Sequence, residues 1–76
     1  MPIILLYITV PSAAEAQKIA DTVISEHLAA CANIIPGMKS LYRWQGKVEQ
    51  RDETVLILKT KEKLFPAVEA RVKNIA

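Results

Sequence analysis

The sequence predicts one small α+β domain, in which two helices pack on one face of a three-stranded sheet in the order β-α-β-β-α. Three observations predict this class. Two segments carry apolar residues at helical spacing, three segments have the composition of strands, and the dipeptide Gln45-Gly46 can join the second and third strands in a two-residue turn. A chain of 76 residues is long enough for a single domain, residues 1–76.

The first strand and the first helix lie before residue 30. Ile3 to Val10 is an apolar run, which is typical of a central strand that is covered on both faces or paired on both sides. Ser12-Ala13-Ala14-Glu15 has the pattern of a capping box at a helix start. The apolar residues that follow predict an amphipathic helix from about residue 13 to about residue 29: Ala16, Ile19, Ala20, Val23, Ile24 and Leu28.

The second and third strands form a long hairpin. Strand character begins at Cys31, and Pro36-Gly37 predicts a bend or bulge within one long strand that ends at Trp44. After the turn, the chain returns to the apolar run of residues 54–58. Residues 49–53 are too polar to lie in a core, so this hairpin should project beyond the body of the domain.

The second helix completes the pattern. Its apolar positions are Leu64, Phe65, Val68, Val72 and Ile75, and Pro66 is acceptable only in its first turn. With right-handed crossovers, this order of elements gives the split βαβ plan called ferredoxin-like. That plan includes a fourth strand after the second helix, which we expect to follow Ala76.

Composition excludes several classes of function. The single cysteine cannot form an intrachain disulfide, and with no signal peptide it indicates a reducing, cytoplasmic location. A net charge of +2 with interspersed charges does not favour nucleic-acid binding. The apolar run that ends at Val10 is too short to cross a membrane. The sequence contains no catalytic triad, phosphate loop, CxxC or HExxH, so we expect no enzymatic activity.

A dense set of residues in the middle of the chain resembles the signature of the CutA family. It comprises residues 28–37 (LAACANIIPG), Ser40, Tyr42, Trp44, Gly46-Lys47-Val48, Glu53 and Lys59-Thr60. The resemblance covers the whole chain from the exit of the first strand onward. The family pattern has valine at the position of Ala32, and it continues beyond residue 76 with a His-Pro-Tyr segment, a strand and a helix.

The resemblance implies a ferredoxin-like subunit in a stable homotrimer, related in form to PII proteins, with a role in tolerance to copper and other divalent cations. Bacterial relatives are cytoplasmic, and an animal relative is associated with anchoring acetylcholinesterase. We therefore expect a homotrimer that needs no cofactor to fold, with copper or another divalent cation as its metal. The alternative is a PII-like regulatory or scaffold trimer that binds a small ligand or a protein partner.

Cys31 is the candidate metal ligand. Its thiolate suits Cu(I), and the family resemblance links this cysteine to copper. The competing interpretation is a small buried apolar side chain at the start of a strand. His27 lies four residues earlier, but it is on the polar flank beside Glu26 and is more typical of a solvated imidazole.

Four further residues are candidates for a ligand site or a subunit interface: Ser40, Tyr42, Trp44 and Lys59. The first three share one face of the hairpin strand, where they can pack between subunits or line a crevice. Lys59, together with Lys47 and Arg43, can receive an anion. The acidic residues Glu49, Asp52 and Glu53 can bind a hard cation, or they can simply keep the tip of the hairpin soluble.

Overall fold

The structure is a computed structural model that describes residues 2–75, and these residues form three strands, two α-helices and one short 3-10 helix. In chain order the elements are β1 (Ile3–Val10), α1 (Ala13–Ser25), β2 (Cys31–Trp44), β3 (Lys47–Lys61), the 3-10 helix (Glu62–Leu64) and α2 (Phe65–Ile75). The predicted α+β class and the predicted β-α-β-β-α order are confirmed. No helix within residues 2–75 is both long enough and apolar enough to cross a membrane.

The three strands form one antiparallel sheet in the order β1-β3-β2. Within residues 2–75, β1 pairs only with β3, so β3 lies between the other two strands; pairing of β1 on its second edge needs the fourth strand that is expected after Ala76, and it stays a prediction. The alternative prediction, that both faces of β1 are covered, is not met by residues 2–75 themselves, since Leu5 and Tyr7 are 65% and 66% exposed. The apolar run predicted a strand. It carried no information on what packs against the face of β1 that is turned away from the helices.

Helix α1 begins as predicted and ends earlier than predicted. Ser12 is the N-cap, and its side chain accepts a hydrogen bond of 3.2 Å from the backbone N–H of Glu15. The helix ends at Ser25 rather than near residue 29, because His27 adopts a φ of 60°. The N–H of His27 then donates to Ile24 and the N–H of Leu28 donates to Val23, which is a Schellman motif built on histidine instead of glycine.

The core lies between the helices and one face of the sheet. Strand residues with even numbers point to the helices, and Leu56 and Leu58 of β3 are fully buried there. Side chains of α1 and α2 complete this layer: Ala16, Ile19, Ala20, Val23 and Val68. Thr54 and Thr60 are the buried polar side chains on β3, and the Thr60 hydroxyl donates a 2.6 Å hydrogen bond to the carbonyl of Leu28.

The hairpin of β2 and β3 projects from this body as predicted. Its turn has φ values of 49° at Gln45 and 78° at Gly46, which are the two left-handed residues of a type I′ turn. The predicted bulge lies between Ile35 and Met38, where β2 advances three residues while β3 advances two, from Val55 to Glu53. The side chains of residues 41–52 are all exposed, and the molecule measures 43 Å along its longest axis.

Candidate functional site

The face of the sheet that is turned away from the helices is the main candidate surface, and we call it the open face. It is formed by strand residues with odd numbers on β1, on β3 and on the first part of β2. Its apolar members include side chains that are about half to two thirds exposed, such as Ile3, Leu5, Tyr7 and Ile35. Its polar members on the body of the domain include Thr9, Asn33, Lys59 and Lys61.

Cys31 lies on this open face, at the first position of β2. Its cross-strand neighbour on β3 is Lys59, and Leu5 of β1 lies on the other side of that lysine. The thiol is free and the residue is half-buried, with its Sγ atom 3.9 Å from Oδ1 of Asn33. Cys31 is therefore neither buried in the core nor fully exposed to solvent. It is a partly exposed residue of the open face.

The donor atoms within residues 2–75 do not fit a metal site at Cys31. Within residues 2–75, no group of three or more histidine, cysteine or acidic side chains is placed to hold a metal ion. Zinc sites use three or four protein ligands, whereas the Cys31 thiol has one side-chain hydrogen bond within residues 2–75, to the amide oxygen of Asn33. His27 belongs to the cap of α1, and the structure gives it no hydrogen bond with Cys31.

The alternative hard-cation site on the hairpin is not assembled either. Because side chains alternate along a strand, Glu49 and Glu53 point to one side of β3 and Asp52 points to the other. Arg51 lies between the two glutamates on their side, and Asp52 forms an ion pair of 2.9 Å with Lys39. These carboxylates thus have basic neighbours and do not converge, which favours the interpretation as a soluble hairpin.

The predicted aromatic face of the hairpin is present. Ser40, Tyr42 and Trp44 share one side of β2, and their cross-strand partners on β3 are Arg51, Glu49 and Lys47. The guanidinium carbon of Arg51 lies 5.8 Å from the centroid of the Tyr42 ring, which is within the range of a cation–π contact. The Trp44 residue is 60% exposed. A shallow groove of about 510 Å³ runs between these side chains and is lined by Tyr42, Trp44, Glu49, Arg51 and Glu53.

The bulge at Pro36-Gly37 decides which side of the sheet these aromatic residues occupy. Before the bulge, odd-numbered residues of β2 lie opposite odd-numbered residues of β3 on the open face. After it, even-numbered residues of β2 do so, because one extra residue reverses the alternation. Tyr42 and Trp44 therefore extend the open face along the hairpin.

Lys59 lies on the open face, but it does not meet the basic residues that were predicted to join it. Lys47 is twelve positions earlier on the same strand, about 40 Å away along an extended chain, and Arg43 is beside the turn. The predicted grouping of Lys59 with Lys47 and Arg43 is therefore wrong. Lys59 instead shares a groove with Lys61 and His27, two residues that the sequence did not bring together with it.

One ion pair connects the two helices. The guanidinium group of Arg71 on α2 donates hydrogen bonds of 2.8–3.1 Å to both carboxylate oxygens of Glu26, the C-cap residue of α1. These hydrogen bonds lower the pKa of Glu26 below its ordinary value, and they raise the pKa of Arg71. Desolvation acts in the opposite sense and raises the pKa of Glu26, and the charge of Arg71 adds a smaller lowering.

Comparison with known proteins identifies the relatives of this chain. Residues 4–76 match the family model described as CutA1 divalent ion tolerance protein. A rice protein (Oryza sativa subsp. japonica) named Protein CutA 1, chloroplastic, is 47% identical over 73 residues, which are 96% of this chain and 41% of the rice protein. The divalent-cation tolerance protein CutA of Thermus thermophilus is 48% identical over 68 residues, which are 90% of this chain and 66% of that protein.

Solved structures give the same result for the fold. The Thermus thermophilus protein Cut A1 superimposes with a TM-score of 0.90 at 44% identity, over 97% of this chain and 72% of that one. A structure described as the periplasmic divalent cation tolerance protein CutA of Archaeoglobus fulgidus gives a TM-score of 0.89 at 40% identity, over 97% and 71% of the two chains. The present chain spans 41% and 66% of the rice and Thermus proteins that it matches.

Proposed function

The chain belongs to the CutA1 divalent ion tolerance family, and from this membership we propose that it acts in tolerance to divalent cations as a homotrimer. The observation that carries the assembly part of the proposal is the open face. Val55 and Ile57 at the centre of this face are buried or half-buried, yet Ile3, Leu5, Tyr7 and Ile35 around them stay 48–66% exposed within residues 2–75. Monomeric soluble proteins rarely expose a contiguous apolar patch of this kind.

A second copy of the chain is the occupant that fits this face best. A domain of this size buries only about 60% of the surface of its unfolded chain, so self-association is a common route to stability. The edge of β1 also leaves backbone groups without strand partners within residues 2–75, and neighbouring copies can protect such edges. The number of three subunits comes from the family resemblance.

A pair of matched substitutions tests the assembly. Leu5 and Leu41 are 65% and 64% exposed, but Leu5 is on the open face and Leu41 is on the opposite side of the hairpin. We expect Leu5→Lys to dissociate the trimer at micromolar concentration and Leu41→Lys to leave its mass unchanged. Sedimentation velocity measures both. A monomeric native protein, or equal dissociation by both substitutions, would contradict the proposal.

Copper binding at Cys31 is the second part of the proposal. A thiolate is a suitable ligand for Cu(I), and the half-buried thiol lies on the open face, where copies of the chain would meet. Because one subunit supplies a single cysteine and no further cluster, such a site requires Cys31 from more than one subunit. Copper is then cargo that the trimer sequesters, and no catalytic step is involved.

Metal titration tests this part separately. We expect the trimer to bind Cu(I) more tightly than about 1 mM, and Cys31→Ser to abolish this binding while the mass of the trimer stays the same. Cys31→Ser is the matched variant because it keeps the size of the side chain and removes the thiolate. Binding that is unchanged in Cys31→Ser, or absent in the native protein, removes direct copper binding from the proposal and leaves the assembly untouched.

A PII-like regulatory or scaffold trimer is the second candidate function. The groove beside Trp44 favours it, because an aromatic wall with both acidic and basic neighbours is suited to a small polar ligand or to a segment of a protein partner. A thermal-shift screen of nucleotides and metabolites at millimolar concentration tests this candidate, with Trp44→Ala beside the native protein. No stabilisation by any compound would count against it.

The cellular compartment stays a prediction. The sequence favours the cytoplasm, but the relatives carry different names, since the rice protein is called chloroplastic and the Archaeoglobus protein is called periplasmic. Fractionation of cells that express the complete gene product, probed with an antibody against this domain, decides between these locations.

A further inference from the structure

A second groove lies at the end of the sheet that is farthest from the hairpin tip, and we call it the basic groove. It has a volume of about 310 Å³, and its lining includes His27, Lys59, Lys61, Leu28, Ala29 and Leu64. We propose that the basic groove binds a small organic anion, a carboxylate or phosphate monoester that carries a short apolar group. This proposal goes beyond cation tolerance and does not depend on it.

Charge is the first argument for an anion. Three of the lining side chains are basic, and none of the lining residues is acidic. The ion pairs within residues 2–75 join Lys39 to Asp52, Arg71 to Glu26 and Lys73 to Glu69, so they involve neither Lys59 nor Lys61. Two lysines that no carboxylate neutralises, beside a histidine, make the groove electropositive.

The spacing of the lysines is the second argument. Lys59 and Lys61 are two residues apart on one strand, so their side chains leave the same face about 7 Å apart. Each lysine carries its ammonium group on a flexible four-carbon stem, which allows two such groups to converge on one anionic head group. Leu28 and Leu64 are half-buried against the core, and their exposed parts line the groove, where they can contact the apolar part of the ligand.

The walls of the basic groove are fixed by backbone hydrogen bonds. The Schellman motif at the end of α1 holds His27 and Leu28 through bonds of 3.0 Å and 2.8 Å. The N–H of Ala30 donates to the carbonyl of Lys59 at 2.8 Å, and the Thr60 hydroxyl donates to the carbonyl of Leu28 at 2.6 Å. The groove is therefore preformed, which lowers the entropy that a ligand loses on binding.

The same bonds leave ligand recognition to the side chains. The N–H groups of His27, Leu28, Ala29 and Ala30 all donate within the protein, so they are not available to an anion. A ligand head group must be held by the ammonium groups and the imidazole. Binding should therefore depend on Lys59 and Lys61 directly, and it should weaken when salt is added.

Proton–nitrogen correlation NMR of the full protein tests the proposal with phenyl phosphate and benzoate as probes. We expect saturable shifts at the amides of residues 27–30 and 59–61, with a Kd below about 1 mM for at least one probe. The stronger of the two probes identifies the head group. Benzyl alcohol is the neutral probe of similar size, and we expect it to bind at least about tenfold more weakly.

Two double variants that remove the same charge distinguish binding in the basic groove from nonspecific electrostatic attraction to the protein. Lys59→Gln with Lys61→Gln should weaken binding by about tenfold or more, whereas Lys18→Gln with Lys63→Gln should change it by less than about twofold. Lys18 and Lys63 are exposed lysines that do not line the basic groove. His27→Gln is a third variant, on a different element, and it should also weaken binding. It tests the proposal if the first double variant does not fold.

Three results would overturn the proposal. They are the absence of saturable binding below about 10 mM, equal losses in the two double variants, and equal binding of benzyl alcohol. These results do not measure assembly or copper binding, and because Lys59 and Lys61 belong to the open face, sedimentation velocity on both double variants shows whether the mass of the protein has changed. Conversely, a protein that is monomeric and binds no copper can still bind phenyl phosphate at this site.

Discussion

The two faces of the sheet carry similar side chains in very different surroundings. Leu58 on β3 is fully buried under the helices, whereas Leu5 on the neighbouring strand β1 is 65% exposed on the open face. The two residues are of the same type and differ in which side of the strand they occupy. On β3 itself, Leu56 and Leu58 alternate with Val55 and Ile57, so the strand is apolar on both sides.

This difference shows that composition and coverage are separate properties of a sheet. A sheet that is solvated on one face normally alternates apolar and polar residues, whereas continuous apolar strands are typical of sheets covered on both faces. Strand β1 and residues 55–58 of β3 have continuous apolar runs of the second kind, yet Ile3, Leu5 and Tyr7 on the open face stay exposed within residues 2–75. The open face therefore has the character of an interface, which is the basis of the proposed assembly.

The largest expected effect concerns the covered face. Leu58→Ala should lower the free energy of unfolding by about 2–5 kcal/mol, because it removes buried methyl groups and leaves a cavity in the core. Urea denaturation followed by circular dichroism measures the change. Leu5→Ala is the matched control, and it should weaken the association between subunits. Its melting temperature should therefore depend more steeply on protein concentration. Equal, concentration-independent costs for the two substitutions would remove the distinction between the faces.

The next prediction asks whether the open face continues along the hairpin. Trp44→Arg should weaken the trimer, because it would place a charge without a partner in a subunit contact. Light scattering gives the mass and a denaturant titration gives the unfolding midpoint. If both quantities match those of the native protein, Trp44 lies outside the contact and the open face ends before the hairpin tip.

A smaller effect is expected at the turn. Gly46 has a φ of 78° and open space around its Cα, so Gly46→Ala meets no neighbouring atom and is strained only by its backbone conformation. This strain should cost about 1–2 kcal/mol, measured by urea denaturation. Gly46→Asn is the control, because asparagine tolerates the left-handed region better. A cost for Asn as large as that for Ala would mean that the turn is stabilised by something other than its φ angle.

The smallest effect concerns the ion pair between the helices on the covered side. The pKa of Glu26 is lowered from 4.5 in the folded protein, since Arg71 donates hydrogen bonds to its carboxylate. The contribution of the pair is therefore present above the ordinary pKa, and it is lost as the pH falls through the lowered pKa of the folded state. We expect the difference in stability between the native protein and Glu26→Gln to shrink from about pH 6 to about pH 3.

Arg71→Gln provides the check on this assignment. It should abolish the pH dependence of the difference, because the lowered pKa of Glu26 depends on the guanidinium group. The pair is partly exposed to solvent, so a modest effect that added salt reduces further is expected. A difference that grows as the pH falls would contradict the direction of the pKa shift.

Local signals in the sequence predicted much of the fold. Gln45-Gly46 indicated the turn, Pro36-Gly37 indicated the bulge and Ser12 indicated the start of α1, because each of these features depends on the conformational preferences of one to four adjacent residues. The sequence did not predict that α1 ends at Ser25, because that prediction also relies on local residue preferences. His27 occupies the left-handed position where glycine is usual, so the sequence carried no stop signal there.

Features that depend on distant residues were not predictable in this way. The neighbours of Cys31 follow from the register between β2 and β3, and the basic groove brings His27 next to residues more than thirty positions later. The aromatic face of Tyr42 and Trp44 was foreseen because alternation along a strand is local. Its position on the open face was not, since that depends on counting the extra residue at the bulge against β3.

The extra residue at Pro36-Gly37 also limits how this sequence can change. Deleting one of these two residues would restore regular pairing and leave each side chain from Met38 to Trp44 on the face of its partner on β3. Loss of the bulge without a deletion would instead shift β2 by one residue against β3, and Tyr42 and Trp44 would then turn to the helix side. A substitution that removes the bulge, more than a one-residue deletion, can therefore reverse what the arm presents to a copy that docks on Leu5 and Tyr7.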